Sequence, residues 1–349
     1  MALGASSAFA EDERNPLFQN DAVVKAVLTA PISQVYAQRH QDVRIYFPGQ
    51  WTYTTEDGAT QRLDVSIRTR GIFRREYCQL PPLQLNFKKK QVKETLFAGQ
   101  NKLKVVAPCK NGPKSQQHVV LEYLAYRIFE IITDHSFGTR LIRLSYVDSD
   151  EKRPPWTDLT FVIEDDRDMA KRLDLTRLKV VSNDYDQLDL PRTALVEMFQ
   201  LLIANNDYSV LQAAEGRECC HNTEVLAPKD NADVRIPVPY DFDISGLVNA
   251  PYASPPSYIP IRFVRTRYYR GLCQPAGNLD DAIAKMQSKR GEIMTLFEST
   301  MELEPKTKKK SLAFIEGFYE ILDDPEKIET EILARCRGQE YLDEMLSTD

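Results

Sequence analysis

The sequence predicts an α+β protein of two lobes, a β-rich N-terminal lobe over residues 20–164 with one long helix and a mainly helical C-terminal lobe over residues 165–349. Three observations carry this expectation. Residues 42–106 alternate apolar and polar side chains in short runs separated by turn residues, the mark of antiparallel strands. Longer stretches, most clearly 117–132 and 191–204, repeat apolar residues at helical spacing. Between the two regions Asp165-Asp166-Arg167-Asp168 changes the composition abruptly and reads as a hinge between lobes.

The strands are predicted in order from the alternation. Val43-Arg44-Ile45-Tyr46-Phe47 leads into Pro48-Gly49, and Trp51 to Thr55 leads into Asp57-Gly58. Leu63, Val65 and Ile67 then share one face, and Leu83, Leu85 and Phe87 repeat the pattern. Lys102-Leu103-Lys104-Val105-Val106 is a further strand with both lysines on the same side. From Gln117 to Ile132, Val120, Leu124, Ile128 and Ile132 stack at a spacing of four as a helix. Glu122 lies on this apolar helix, so once buried it needs a cationic partner. Arg140 to Val147 and Leu159 to Glu164 form a hairpin. The second half is read as helices at Met169–Leu173, Pro191–Ala204, Leu279–Phe297, Lys308–Leu322 and Pro325–Met345, with a proline-rich loop at Pro251–Pro260.

With 349 residues, 42% apolar, the chain has the composition of a soluble globular protein. A net charge of -6 argues against a non-specific nucleic-acid binder, and the runs Lys88-Lys89-Lys90 and Lys308-Lys309-Lys310 read as solvated faces. No apolar stretch approaches the roughly 20 residues needed for a membrane span. Residues 1–10, ending Ala8-Phe9-Ala10, resemble the tail of a secretory signal, which points to a periplasmic or secreted protein; an ordinary small-residue start to a cytoplasmic chain is the other reading. Six cysteines fit either compartment. For an exported chain the expected pairs are Cys78 with Cys109, and Cys219 or Cys220 with Cys273. Cys219-Cys220-His221 has no second Cys/His cluster to complete a zinc site.

The segment from Leu195 to Ala250 carries the chemistry. A packed helix exits into Asn205-Asn206-Asp207, Asn222 follows fifteen residues later, and Tyr240-Asp241-Phe242-Asp243 ends a strand. Phosphoryl transfer needs oxygen ligands for magnesium, a cation on the phosphates and a carboxylate to accept the hydroxyl proton. Asp207 is the candidate base, and Asn222 and Asp241 are candidate metal ligands for a hard cation. Lys104 paired with Glu122 is the candidate phosphate-positioning unit, with Lys88 and Lys102 as rival lysines. The plain structural alternative is a helix stop at Asn205-Asn206-Asp207 and solvated edge lysines.

Short motifs across Ile67 to Ala250 resemble the spore-coat CotH family of atypical, secretory-type protein kinases. They are Ile67-Arg68-Thr69-Arg70-Gly71, Pro81-Pro82-Leu83-Gln84-Leu85-Asn86-Phe87, Phe161-Val162-Ile163-Glu164 with Arg172, Asn206-Asp207 before Asn222, and Tyr240-Asp241-Phe242-Asp243. The resemblance implies a two-lobed kinase-like fold that binds ATP and Mg and phosphorylates Ser or Thr of a protein substrate. It makes Asp207 the base, Asn222 and Asp241 the metal ligands, and Lys104 with Glu122 the phosphate pair. No Gly-rich loop is present, so the nucleotide falls to side chains and the Arg70-Gly71 turn. The spacing from Asp207 to Asn222 is long for a catalytic loop, which brings in Asp243 as the alternative second metal ligand. Two other functions are consistent with the same residues: an inactive kinase-like binding module of the cell envelope, and a phosphohydrolase using Asp241 and Asp243. Arg262, Arg265, Arg267 and Arg270 either grip an acidic peptide or pack their stems.

Overall fold

Ten strands and the helices between them are built over residues 14–340 and 343, which the computed structural model describes. The signal-like residues 1–10 lie outside the described residues, as does most of the chain beyond 340. The strands are β1 (Val24–Ala30), β2 (Phe47–Thr54), β3 (Thr60–Thr69), β4 (Leu83–Phe87), β5 (Lys102–Val106), β6 (Thr139–Asp148), β7 (Trp156–Ile163), β8 (Leu175–Arg177), β9 (Thr223–Pro228) and β10 (Ile236–Pro239). The α-helices are α1 (Ile32–Ala37), α2 (Phe73–Tyr77), α3 (Lys89–Val92), α4 (Pro113–Ile132), α5 (Asp166–Arg172), α6 (Leu190–Leu202), α7 (Ala276–Ser288), α8 (Arg290–Ser299), α9 (Pro305–Leu322) and α10 (Pro325–Lys327), the last continued by a π turn and a 3-10 turn to Arg335 in place of the helix expected over Pro325–Met345, whose end lies outside the described residues.

The first seven strands close into a barrel in the order β1-β2-β3-β4-β5-β7-β6. Closure comes from β1, which lies antiparallel to β2 and parallel to β6, from Val24 opposite Ile142 to Ala30 opposite Asp148. Val24, Ala26, Leu28 and Ala30 alternate into the interior, where they join Trp51, Leu85, Leu144 and Tyr146 in one apolar cluster. Burying every other side chain of each strand is what a small barrel requires.

The architecture corrects the expected two-lobed kinase-like fold with a helical C-terminal lobe. A closed barrel replaces an open β-rich lobe, and the whole is mixed α/β. The second half also carries a sheet, β10-β9-β8, beside its helices. One apolar cluster runs from Val106 on β5 through α4, α6 and α9 to Ile332, so residues before and after the acidic step share a core. That step is itself a helix start: Asp165 caps α5 by accepting from the Arg167 N–H. Two smaller corrections follow the same logic. Pro48 and Gly49 lie inside β2, and the predicted helix Leu279–Phe297 is broken in two between Ser288 and Arg290.

Two consequences of the fold place the site. Chain reversal after α6 is made by Ala204 in the left-handed region (φ 49°), whose carbonyl accepts from Gly246 N–H at 3.0 Å. Gly246 permits this approach because a Cβ there would stand 2.6 Å from the Val264 carbonyl oxygen and 2.8 Å from Ala204 Cβ. In the β9/β10 hairpin, Thr223 opposes Pro239, so the residues just outside the pair, Asn222 and Tyr240, emerge side by side. Among the described residues no helix is long and apolar enough to cross a membrane.

Candidate functional site

Asp207 is held from three directions. Asn205 Oδ1 accepts its N–H at 3.0 Å, a local turn that ends the excursion from α6. Arg270, 8% exposed, donates from Nη1 to the carbonyls of Asn206 and Tyr208, the two neighbours of Asp207. Asn222 donates from Nδ2 to the Asp207 carbonyl at 2.7 Å and to its carboxylate at 2.9 Å. With Nδ2 committed, Oδ1 is the Asn222 atom left to serve a ligand.

Asp241 comes to the same place along the hairpin. Tyr240 N–H donates to the Asn222 carbonyl at 3.0 Å, and Asp241 N–H donates to the Tyr126 hydroxyl of α4 at 2.9 Å. Asn222 and Asp241 both have left-handed backbones (φ 52° and 62°), a conformation Asn and Asp tolerate better than most residues. Asp207, Asn222 and Asp241, with Arg70, line one cleft of about 650 Å³, within the range of small-molecule sites.

Two cations are found at or near this cleft: Arg70 lines it, and Lys104, outside its lining, lies close enough to Arg70 to be repelled by it. Burial lowers the Lys104 ammonium, the neighbouring Arg70 lowers it further, and Asp166, Glu224 and Asp165 oppose the shift. Burial likewise lowers Arg70, with Asp241 opposing. Lys104 Nζ lies 5.7 Å from the Phe137 ring and 5.8 Å from the Tyr240 ring, and among the described residues it makes no ion pair within 4.0 Å. Burial is the largest cause of both shifts. The rival lysines Lys88 and Lys102 are exposed.

Lys104 and Glu122 do not form the expected pair. Glu122 accepts from Arg74 Nη1 at 2.9 Å, and Arg74 also donates to the Ala107 carbonyl at 2.9 Å. Asp243 belongs to this buried group: its carboxylate lies 3.8 Å from Arg74 and accepts from the Tyr252 hydroxyl at 2.9 Å. Burial raises Asp243 well above the carboxylate range, Asp241 adds to this and Arg74 opposes it. Burial raises Glu122 as well, again against Arg74. Asp243 lines the same cleft as Asp207, Asn222 and Asp241, but it is 5% exposed and its carboxylate is engaged with Tyr252 and Arg74. Arg74 was not legible as the partner because it sits on a five-residue helix with no periodic signal. The available clue was the need for a cation at Glu122.

His221 is a further member of the site. Its Nε2 lies 2.8 Å from Asp207 Oδ1, and that contact raises the imidazole above 6.5 against the effect of burial. Cys219 and Cys220, on the wall of the cleft, are bonded to each other, so Cys273 is not their partner; it is joined to Cys336, while Cys78 is joined to Cys109. In the arginine-rich segment, Arg265 and Arg267 stack on Phe314 at 4.3 and 4.1 Å and Arg270 holds the Asp207 loop, which leaves Arg262 exposed.

A divalent ion would find oxygens here without a complete cage. Among the described residues no group of three or more His, Cys, Asp or Glu side chains is arranged to hold a metal. Asp241 and Asn222 Oδ1 are the cleft oxygens available to such an ion. No family model, curated protein or solved structure matches the chain.

Proposed function

We propose that the chain is an ATP- and Mg-dependent phosphotransferase acting on Ser or Thr of a protein, the reaction of the CotH-type kinases that its motifs resemble. The reaction is what carries over, not the two-lobed architecture. The observation that supports it is the meeting of Asp207, Asn222 and Asp241 from distant segments on one cleft that Arg70 also lines.

In this reading Asp207 accepts the hydroxyl proton of the substrate. Asn222 and the Arg270-bound carbonyls fix its carboxylate, so little reorganisation is needed when the hydroxyl arrives. Asp241 and Asn222 would hold magnesium, which supplies neutralisation of the phosphate charge. Arg70 and Lys104 bind the phosphate oxygens, and their low pKa is restored by the anion. His221 occupies Asp207 Oδ1 in the resting protein and gives way to the hydroxyl, which its exposed position allows.

Purified protein incubated with ATP, magnesium and a mixed protein substrate should transfer the terminal phosphate. Asp207→Asn should abolish transfer while preserving magnesium-dependent stabilisation by ATP, and Asp241→Asn should remove both. Transfer that survives Asp207→Asn, or nucleotide binding indifferent to Asp241, overturns the assignment.

A second reading has its own support. The Cys78–Cys109 and Cys273–Cys336 disulfides fit an oxidising, periplasmic or secreted setting. ATP is scarce there, which favours an inactive binding module of the cell envelope. Absence of nucleotide-dependent stabilisation in the intact protein selects this second reading.

A further inference from the structure

A second cavity, of about 190 Å³, lies behind the cleft. Its walls are Tyr77 of α2, Val119 of α4, and Val248 and Tyr252 of the segment after Asp243. Lys110 and the exposed Lys114, in the first turn of α4, stand among its lining residues, and Arg74 lines both this cavity and the cleft. The cavity therefore pairs an apolar body with a cationic rim, to which the N-terminus of the 20-residue helix α4 adds partial positive charge.

Three further features bear on the occupant. His118, another lining residue, is pushed down to about 4, first by burial and then by the charges of Lys114 and Arg74. The one carboxylate in the lining, Glu122, is already bound to Arg74 at 2.9 Å. Tyr77 remains 44% exposed, stacked 5.1 Å from Phe73 and 5.4 Å edge-on from Tyr252, with Lys110 5.5 Å above its ring. Size limits the occupant: a cavity of about 150 Å³ admits a benzene ring, whereas drug-sized ligands need about 300 Å³ or more.

We infer that this cavity binds a small aromatic carboxylate, with the ring against the apolar wall of Val119, Val248, Tyr77 and Tyr252 and the carboxylate at Lys110 and Lys114. The assignment does not rest on phosphotransfer. Its occupant would nonetheless touch the catalytic cleft through Arg74, which lies 3.8 Å from Asp243.

Titration calorimetry with benzoate, without nucleotide or magnesium, tests the site in the intact chain. Benzoate should bind, while acetate, inorganic phosphate and benzyl alcohol should each bind at least about tenfold more weakly, since each lacks the ring or the charge. The Lys110→Ala/Lys114→Ala double variant, altered only at the rim, should weaken benzoate about tenfold. Tyr77→Ala should weaken it too, and Asp241→Asn should leave it unchanged. No benzoate binding at about 10 mM, equal binding of acetate, phosphate or benzyl alcohol, or unchanged affinity in the lysine variant overturns the inference. Loss of benzoate binding in Asp241→Asn would place the ligand in the cleft instead and overturns it equally. Because nucleotide is absent throughout, these outcomes stand apart from success or failure of the phosphotransfer assay.

Discussion

Replacing Arg74 with Met tests the buried ion group on which both cavities border. The guanidinium is 8% exposed and serves Glu122 at 2.9 Å, Asp243 at 3.8 Å and the Ala107 carbonyl at 2.9 Å. Burial works against its charge, but Tyr252, Glu122, Asp243 and Asp241 together outweigh burial and hold it protonated. Met fills similar volume and supplies no donor. Glu122, 2% exposed, and Asp243, 5% exposed, then lose the cation they share. Removing one partner of a buried pair costs about 3–5 kcal/mol, and the orphaned Ala107 carbonyl adds about 1 kcal/mol. Against a total stability of about 5–15 kcal/mol this is a large loss. Its pH dependence has a definite sign. Both carboxylates are already raised in the folded protein, and losing Arg74 raises them further. A raised group favours the fold fully below its unfolded pKa, about 4, and that contribution is lost as pH rises through the folded value. The deficit of Arg74→Met should therefore be largest at the alkaline end of the native protein's stable pH range and smallest at the acidic end. Urea unfolding of both proteins at the two ends of that range measures it. A deficit under about 1 kcal/mol at the higher pH, or one of equal size at both, refutes the argument.

The remaining predictions address separate parts of the molecule. Burial raises Glu197 to about 7 although Leu272 N–H and Gln274 donate to it, so native stability should fall by roughly 3 kcal/mol between its ordinary 4.5 and that value. Glu197→Gln should remove that slope, read as a stability difference from the native protein that grows in favour of the variant as pH rises. The Cys273–Cys336 disulfide closes a separation of 63 residues, worth about 4 kcal/mol by chain entropy, so Cys273→Ser/Cys336→Ser should lose most of that in denaturant titration. Gly246→Ala should lower the melting temperature through about 1–3 kcal/mol, because the new Cβ meets backbone at Val264. Finally, protonated His221 competes with a hydroxyl for Asp207, so phosphotransfer should rise as pH passes upward through the raised histidine pKa, and His221→Ala should extend activity to lower pH. An unchanged pH profile would remove His221 from the site.

Much of the barrel is legible in the sequence because its antiparallel members alternate cleanly. Leu63-Val65-Ile67, Leu83-Leu85-Phe87 and the β6/β7 hairpin have strong β-formers facing inward, and each pairs with a near neighbour in the chain. The closing strand is different. Val24–Ala30 contributes two alanines to its buried face and finds its parallel partner on β6, over a hundred residues away, so neither composition nor a turn announces the pairing. That one strand separates an open lobe from a closed barrel. The charged partners divide the same way. The demand of Glu122 for a cation follows from the helical stripe, but its answer, Arg74, depends on how a five-residue helix docks across the barrel end.

The three oxygens of the proposed site illustrate why order along the chain can survive an error in architecture. Asp207 is fixed by the end of α6, and Asn222 and Asp241 by the two ends of a hairpin whose register leaves no choice about their adjacency. These are local constraints, each spanning one turn or one strand pair. The first half of the chain contributes Arg70, just after β3, and the Tyr126 hydroxyl that α4 offers to the Asp241 backbone. Tyr126 is itself locked by rings on both sides, 4.6 Å from Phe242 and 5.7 Å from Phe161 of β7. The Tyr126 hydroxyl thus ties the Asp241 backbone to α4 on a rigid support. These three residues meet because hairpin and helix end do most of the positioning, while α4 supplies a fixed wall against which they are set.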